Sequence, residues 1–219
     1  MAKESPSNKT ARVTKIIATL KKTHPDAKLA LNFSNPLELL IALILAAQAR
    51  DDVVNVVTAE MFPKYRTATD WADETEEKLH EQVRRINFYR NKTRSIQKAC
   101  RLLVEKFGGR VPDNLDDLLT LPGVGRKTAN AVLANGFGQP GIVVDSHVWR
   151  LSQRLGLTTK DDPDKIEQDL TELVPKKEWI KFCHLLQFHG RRVCMARVPN
   201  CPNCSIKKLC PWPQKTKSL

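Results

Sequence analysis

The stretch "SNPLELLIALILAAQARDD", residues 34 to 52, constrains the fold more than any other. From Leu37 to Ala47 every residue except Glu38 is apolar. A helix through it is greasy on every side, so it has to lie at the centre of a fold, walled in by other elements. Asn35 has a capping side chain and Pro36 suits the first helical position. The longest unbroken run, "LLIALILAA", falls well short of the ~18 residues a membrane span needs. At "AAQARDD" the chain turns abruptly polar, which places Gln48 and its neighbours where the central helix meets solvent or a cleft.

The walls are predicted to be helices too. Val13, Ile16, Ile17 and Leu20 recur at helical spacing, and further helices are predicted at about 53–62, 75–85 and 90–107, the last stopped by Gly108 and Gly109. "VPDNLDDLLTL" predicts a short helix, and another starts near Arg126 and runs to glycine. "DSHVWRLSQRLGL", "DDPDKIEQDLTELVP" and "EWIKFCHLLQFHG" complete the set, with Asp145 as a cap. "GIVV" at 141–144 is extended, but one such run makes no sheet. The expectation is an all-α chain with a disordered tail over residues 1–12.

Lys and Arg number 36 against 24 Asp and Glu, leaving +12 and pointing to a polyanionic partner. The start, "MAKESPSNKTARVTK", has no apolar core and carries Glu4, so a cytoplasmic protein is expected, with no membrane partner. In that compartment the six cysteines are thiols or metal ligands rather than disulfides. Cys194, Cys201, Cys204 and Cys210 crowd into "CMARVPNCPNCSIKKLC" as C-x6-C-x2-C-x5-C. Zinc ribbons pair two C-x2-C knuckles across a longer insert, so this single loop suits a [4Fe-4S] cube better, with zinc as the alternative. Arg197, Lys207 and Lys208 make the same loop a basic finger. Cys100 and Cys183 lie on helical patterns and read as core.

The third feature is "LPGVGRKTAN", residues 121–130. The amides of Gly123, Val124 and Gly125, backed by a helix N-terminus, form a place for a phosphate. Lys127 falls in the first turn of that helix, where backbone dipoles oppose an ammonium and favour a nucleophilic amine. From these residues alone it either pairs with a phosphate or does chemistry. Asp145, after the apolar approach "GIVV", either caps a helix or also faces a cationic transition state.

Lys127 in "LPGVGRKTAN", Asp145 in "VDSHVWRLSQRLGL" and the cysteine spacing, in this order, resemble the endonuclease III family of DNA glycosylases, within the helix-hairpin-helix superfamily. The likeness runs from about residue 13 to 212. It implies two helical domains flanking a DNA-binding cleft: a six-helix barrel with the hairpin over 29–139, and a [4Fe-4S] cluster domain of 13–28 with 140–213, followed by a tail at 214–219. It implies a bifunctional enzyme that flips oxidised pyrimidines out of duplex DNA, with Lys127 as Schiff-base nucleophile and Asp145 as its carboxylate partner. Double-stranded DNA with damaged pyrimidines or abasic sites is the implied partner, met by a monomer associated with the nucleoid. Gln48 matches the residue that fills the gap left by the flipped base, Phe88 in "INFYRNK" the wedge that enters the stack, and His147 the histidine of the aspartate motif.

The chain departs from the family at the rim. Ala47 and Arg50 replace a serine and a threonine, so Arg50 brings a charge towards DNA, and Asn87 stands where glycine is usual, as a residue that tolerates a left-handed backbone. Two other readings use the same residues: a mismatch glycosylase that does not cut the strand, against which Lys127 and the end at Leu219 argue, and a non-catalytic DNA-binding relative.

Overall fold

The computed structural model describes residues 4–212, and every regular element among them is helical. Residues 1–3 and the expected tail at 214–219 lie outside the described residues. The chain forms two compact units, one of residues 29–139 and one built from the chain before residue 29 together with that from Pro140 onward. No helix among the described residues is long and apolar enough to cross a membrane.

The second of these units begins with α1 (Pro6–Thr23). Here the expectation of a disordered tail through residue 12 fails: the helix starts at Pro6, with Ser5 accepting from the Asn8 amide (3.3 Å). The physical reason is Arg12. Its guanidinium forks onto Glu4 (2.7 and 2.8 Å) and also donates to the carbonyls of Leu155 (2.8 Å) and Leu209 (3.1 Å), so the first turns are held by distant partners rather than by an apolar stripe.

The unit of residues 29–139 holds α2 (Pro36–Ala46), α3 (Asp51–Met61), α4 (Ala68–Asp73), α5 (Glu76–Val83), α6 (Tyr89–Phe107), α7 (Leu115–Thr120) and α8 (Arg126–Gly136). Asn35 caps α2 through the Glu38 amide (3.0 Å), with Pro36 behind it. Leu39, Leu40, Ile41, Ala42, Ile44 and Leu45 of α2 are all buried, and the helix packs on α3, α6 and α8, as an element apolar all round must. The hydrophobic pattern does not announce α4. A reciprocal capping box of Thr67 and Asp70 starts it (3.2 and 2.8 Å), and Trp71, buried with its indole N–H on the Tyr65 carbonyl (3.2 Å), anchors it against α6.

The other unit adds α9 (Ser146–Arg154), α10 (Pro163–Leu173) and α11 (Trp179–Arg192) to α1. Val13, Ile16, Ile17 and Leu20 of α1 join Leu151, Ile166, Leu170, Phe182 and Leu186 in its core. Ion pairs of Lys21 with Glu178 (2.7 Å), at the cap of α11, and of Asp26 with Arg192 (2.6 Å), at its other end, tie the C-terminal end of α1 and the loop after it to α11 on the surface, where such pairs contribute little to stability.

Candidate functional site

The hairpin between α7 and α8 is shaped by burial on one side and by glycine on the other. Leu121 and Val124 are buried and bonded through the Val124 amide to the Leu121 carbonyl (3.1 Å). Gly123 takes φ 81°, and a Cβ there would come within 2.8 Å of the Ser95 Cβ on α6, so both conformation and space require glycine. Gly125 is different. It is extended (φ −93°) with nothing near its missing Cβ, and it stands at the cap of α8, where it offers the first-turn amides no side-chain acceptor. Lys127 is exposed in that turn. An amine at a helix N-terminus can either meet an anion or attack an electrophile that an anion site there holds in place.

A rim lies on two other loops of the same unit. Gln48, just beyond α2, and Phe88, just before α6, are the only residues other than glycine with positive φ among those described (54° and 57°). The left-handed position expected at Asn87 therefore falls one residue later, on Phe88, and Asn87 instead donates from Nδ2 to the Gln48 carbonyl (3.4 Å). Phe88 is 64% exposed, so it is not a core residue. Arg50 is also exposed, but its guanidinium is engaged by Asp52 (2.5 and 3.0 Å), so it does not present a free charge. Sequence reasoning missed Lys92, which is buried on the core face of α6 and donates to the Leu45 carbonyl (2.9 Å). Burial lowers its pKa. The available signal was a lysine in phase with Ile96, Ala99, Cys100 and Leu103.

In the other unit, buried Ile142 and Val143 lead to Asp145, with the Val143 amide donating to the Cys183 sulfur (3.3 Å). Asp145 caps α9, and both of its amide bonds, from His147 (2.9 Å) and Val148 (2.8 Å), go to Oδ1, so Oδ2 takes no part in the cap. Arg150, not singled out from sequence, meets His147 Nδ1 (3.2 Å) and donates to the carbonyls of Gly190 and Cys194 (both 3.1 Å). This links the helix carrying Asp145 to the start of the cysteine loop.

Cys194, Cys201, Cys204 and Cys210 line one cavity, together with Arg154 and His189. Arg154 donates to the Cys194 sulfur (3.2 Å) and to the carbonyls of Met195 (2.9 Å) and Ala196 (2.8 Å), and His189 Nε2 lies 3.4 Å from the Cys204 sulfur. Burial raises the Cys204 thiol, and the neighbouring Cys194, Cys210 and Cys201 push the same way. Four thiolates here would call for a compensating cationic group, and the Arg154 N–H donated to sulfur suits such a site. Among the described residues no three His, Cys, Asp or Glu side chains are grouped to hold a single metal ion. The loop exposes Arg197 beside Val198 and Met195, apolar residues that sequence reasoning passed over.

Cys100 and Cys183 are core residues, as their helical phase predicts, each with its thiol pushed up to about 12 by burial. Iodoacetamide at mildly alkaline pH is therefore expected to spare both in the native protein and label both after denaturation, read by peptide mass mapping. Labelling of either in the folded chain would contradict the burial.

Comparison with known proteins bears on this geometry. Residues 41–176 match the HhH-GPD superfamily base excision DNA repair protein family. Endonuclease III of Synechocystis sp. is 47% identical over 95% of this chain and 95% of its own, and that of Bacillus subtilis 44% identical over 87% and 88%. The solved structure of a trapped endonuclease III–DNA covalent intermediate superposes with TM-score 0.87 at 44% identity, covering 92% of this chain and 95% of that one. Hairpin, capped aspartate helix and four-cysteine loop thus occur in a chain that matches these relatives nearly end to end, and the chain belongs to the endonuclease III family of the HhH-GPD superfamily.

Proposed function

We propose that this protein is a bifunctional DNA glycosylase and AP lyase of base excision repair, acting as a monomer on oxidised pyrimidines and abasic sites in duplex DNA in the cytoplasm. The observation that carries the proposal is Lys127, an exposed amine in the uncapped first turn of α8 behind the glycine hairpin. It is supported by the solved relative whose structure is that of a trapped covalent intermediate with DNA.

The chemistry follows from the amine. With the damaged nucleotide turned out of the stack, the Lys127 nitrogen attacks C1′ as the glycosidic bond breaks and the base leaves with a proton. Ring opening gives an imine between Lys127 and the sugar. Loss of a C2′ proton then expels the 3′ phosphate by β-elimination, and water hydrolyses the imine to free the lysine. Oδ2 of Asp145, not used by its cap, is the carboxylate that stabilises positive charge on the sugar and assists proton transfer. Gln48 occupies the place of the extruded base, exposed Phe88 enters the stack, and the amides of Gly123, Val124 and Gly125 hold a phosphate. Arg50, His147 and Arg197 complete the DNA-facing set.

Cys194, Cys201, Cys204 and Cys210 hold a [4Fe-4S] cluster in this reading, supported by the spacing and by the single cavity the four thiols line. When bound it supplies a rigid cross-link within the loop that carries Arg197.

Borohydride reduction tests the function. With a duplex carrying one thymine glycol, and separately with a pre-formed abasic site, the protein is expected to form a reductively trapped crosslink to both. A crosslink to the abasic duplex alone would leave a lyase with an altered base pocket. Salt-sensitive binding with no crosslink to either would overturn the enzyme in favour of a DNA-binding module. Iron and acid-labile sulfide in equal amounts are expected in the purified chain, and zinc in their place would overturn the cluster.

A further inference from the structure

Gln48 and Phe88 hold backbone conformations that residues with side chains adopt only where their surroundings over-determine them. One residue is bonded to both places. The Lys92 amide donates to the Phe88 carbonyl (3.2 Å), closing the first turn of α6, while the Lys92 ammonium donates to the Leu45 carbonyl (2.9 Å) in the last turn of α2, three residues before Gln48. Asn87 joins the loops a second time through the Gln48 carbonyl (3.4 Å).

Lys92 is a poor choice for stability alone. It is 7% exposed, and no carboxylate pairs with it among the described residues. An apolar side chain of the same length would fill the space without desolvating a charge. What the ammonium adds is direction: three donors at the carbonyl end of α2, where the helix dipole favours a cation.

We propose that Lys92 is a positioning residue that locks the Gln48 and Phe88 turns into one arrangement, so that the side chains entering the duplex are set before DNA arrives. The proposal rests on the reading of Gln48 and Phe88 as the residues that take over the place of the flipped base. A preset pair loses less freedom on binding, and that gain is confined to the step in which a paired base is extruded. Lys92 touches no substrate and leaves the chemistry at the sugar unaltered.

Lys92→Met and Asn87→Ala, compared with wild type on the thymine glycol duplex and on the abasic duplex, test this. A 2-aminopurine opposite the lesion reports unstacking. Lys92→Met is expected to lose about tenfold in kcat/KM on thymine glycol, chiefly through KM, with a slower aminopurine rise, while cleavage of the abasic duplex changes less than about twofold. Asn87→Ala, at an exposed position, moves the same way to a smaller extent. Equal losses on both duplexes, or a folded Lys92→Met with the wild-type profile, would overturn the proposal. If Lys92→Met does not fold, Asn87→Ala decides: a selective loss on thymine glycol supports the lock and a wild-type profile removes it. A wild-type protein that binds DNA but excises nothing removes the underlying reading of Gln48 and Phe88, and the lock with it.

Discussion

Lys127→Ala is expected to lower strand cleavage and borohydride trapping by roughly 10⁴-fold or more, as loss of a nucleophile does, while duplex binding changes little. The side chain is exposed in the first turn of α8, so its removal should alter folding stability by no more than about 0.5 kcal/mol. Taking an ammonium away from the positive end of a helix dipole costs nothing in itself. One cation fewer at the DNA surface should flatten the dependence of log K on log salt by less than about 1. Lys127→Arg separates the two roles this lysine can play. Arginine keeps the charge and meets a phosphate at least as well, but its guanidinium does not form an imine. Cleavage lost in both variants, with binding retained in both, assigns chemistry to Lys127. Cleavage retained by the arginine variant would reduce it to a phosphate ligand and would falsify the mechanism.

How far the sequence disclosed this molecule depends on how local the controlling interactions are. The central helix α2 was legible because an all-round apolar segment has only one place to go, and the cap at Asn35 is encoded within four residues. That the four cysteines of one loop come together was legible for a similar reason: their spacing is a local property, and they line one cavity. By contrast α4 is six residues long, too short for a hydrophobic period to register, although its capping box at Thr67 and Asp70 was there to be read. The first turns of α1 were misread as disordered because Arg12 reaches carbonyls at residues 155 and 209, contacts that no window of neighbours contains. Phe88 could not be told from a core residue by its type. Its exposure follows from the left-handed backbone at that position, and the sequence cue at Asn87 pointed one residue too early. At Lys92 the cue was present and unused: a charge in phase with a buried stripe is paired or positioned, and only the fold shows that its partner is a carbonyl of another helix.

In the proposed mechanism Asp145 joins a structural and a chemical role in one side chain, and the geometry allows them to be measured separately. Both cap bonds go to Oδ1, from the amides of His147 and Val148, so an asparagine amide oxygen at the same place accepts both. Asparagine and aspartate are equivalent as caps, and Asp145→Asn is expected to unfold within about 0.5 kcal/mol of wild type. Asp145→Ala loses the cap as well and should cost about 1 kcal/mol. The chemical consequence is of another size. Asparagine removes the negative charge that the proposed mechanism sets against a cationic sugar, and losing one preorganised electrostatic group of this kind lowers rates by about 10²- to 10³-fold. Excision from the thymine glycol duplex should therefore fall by that factor in Asp145→Asn with thermal unfolding unchanged, and trapping on a pre-formed abasic site, which needs no departing base, should fall less. Excision at the wild-type rate would make Asp145 a cap and nothing more. A fall confined to Asp145→Ala would say the same, because that variant differs from Asp145→Asn only in having lost the two amide bonds that start α9.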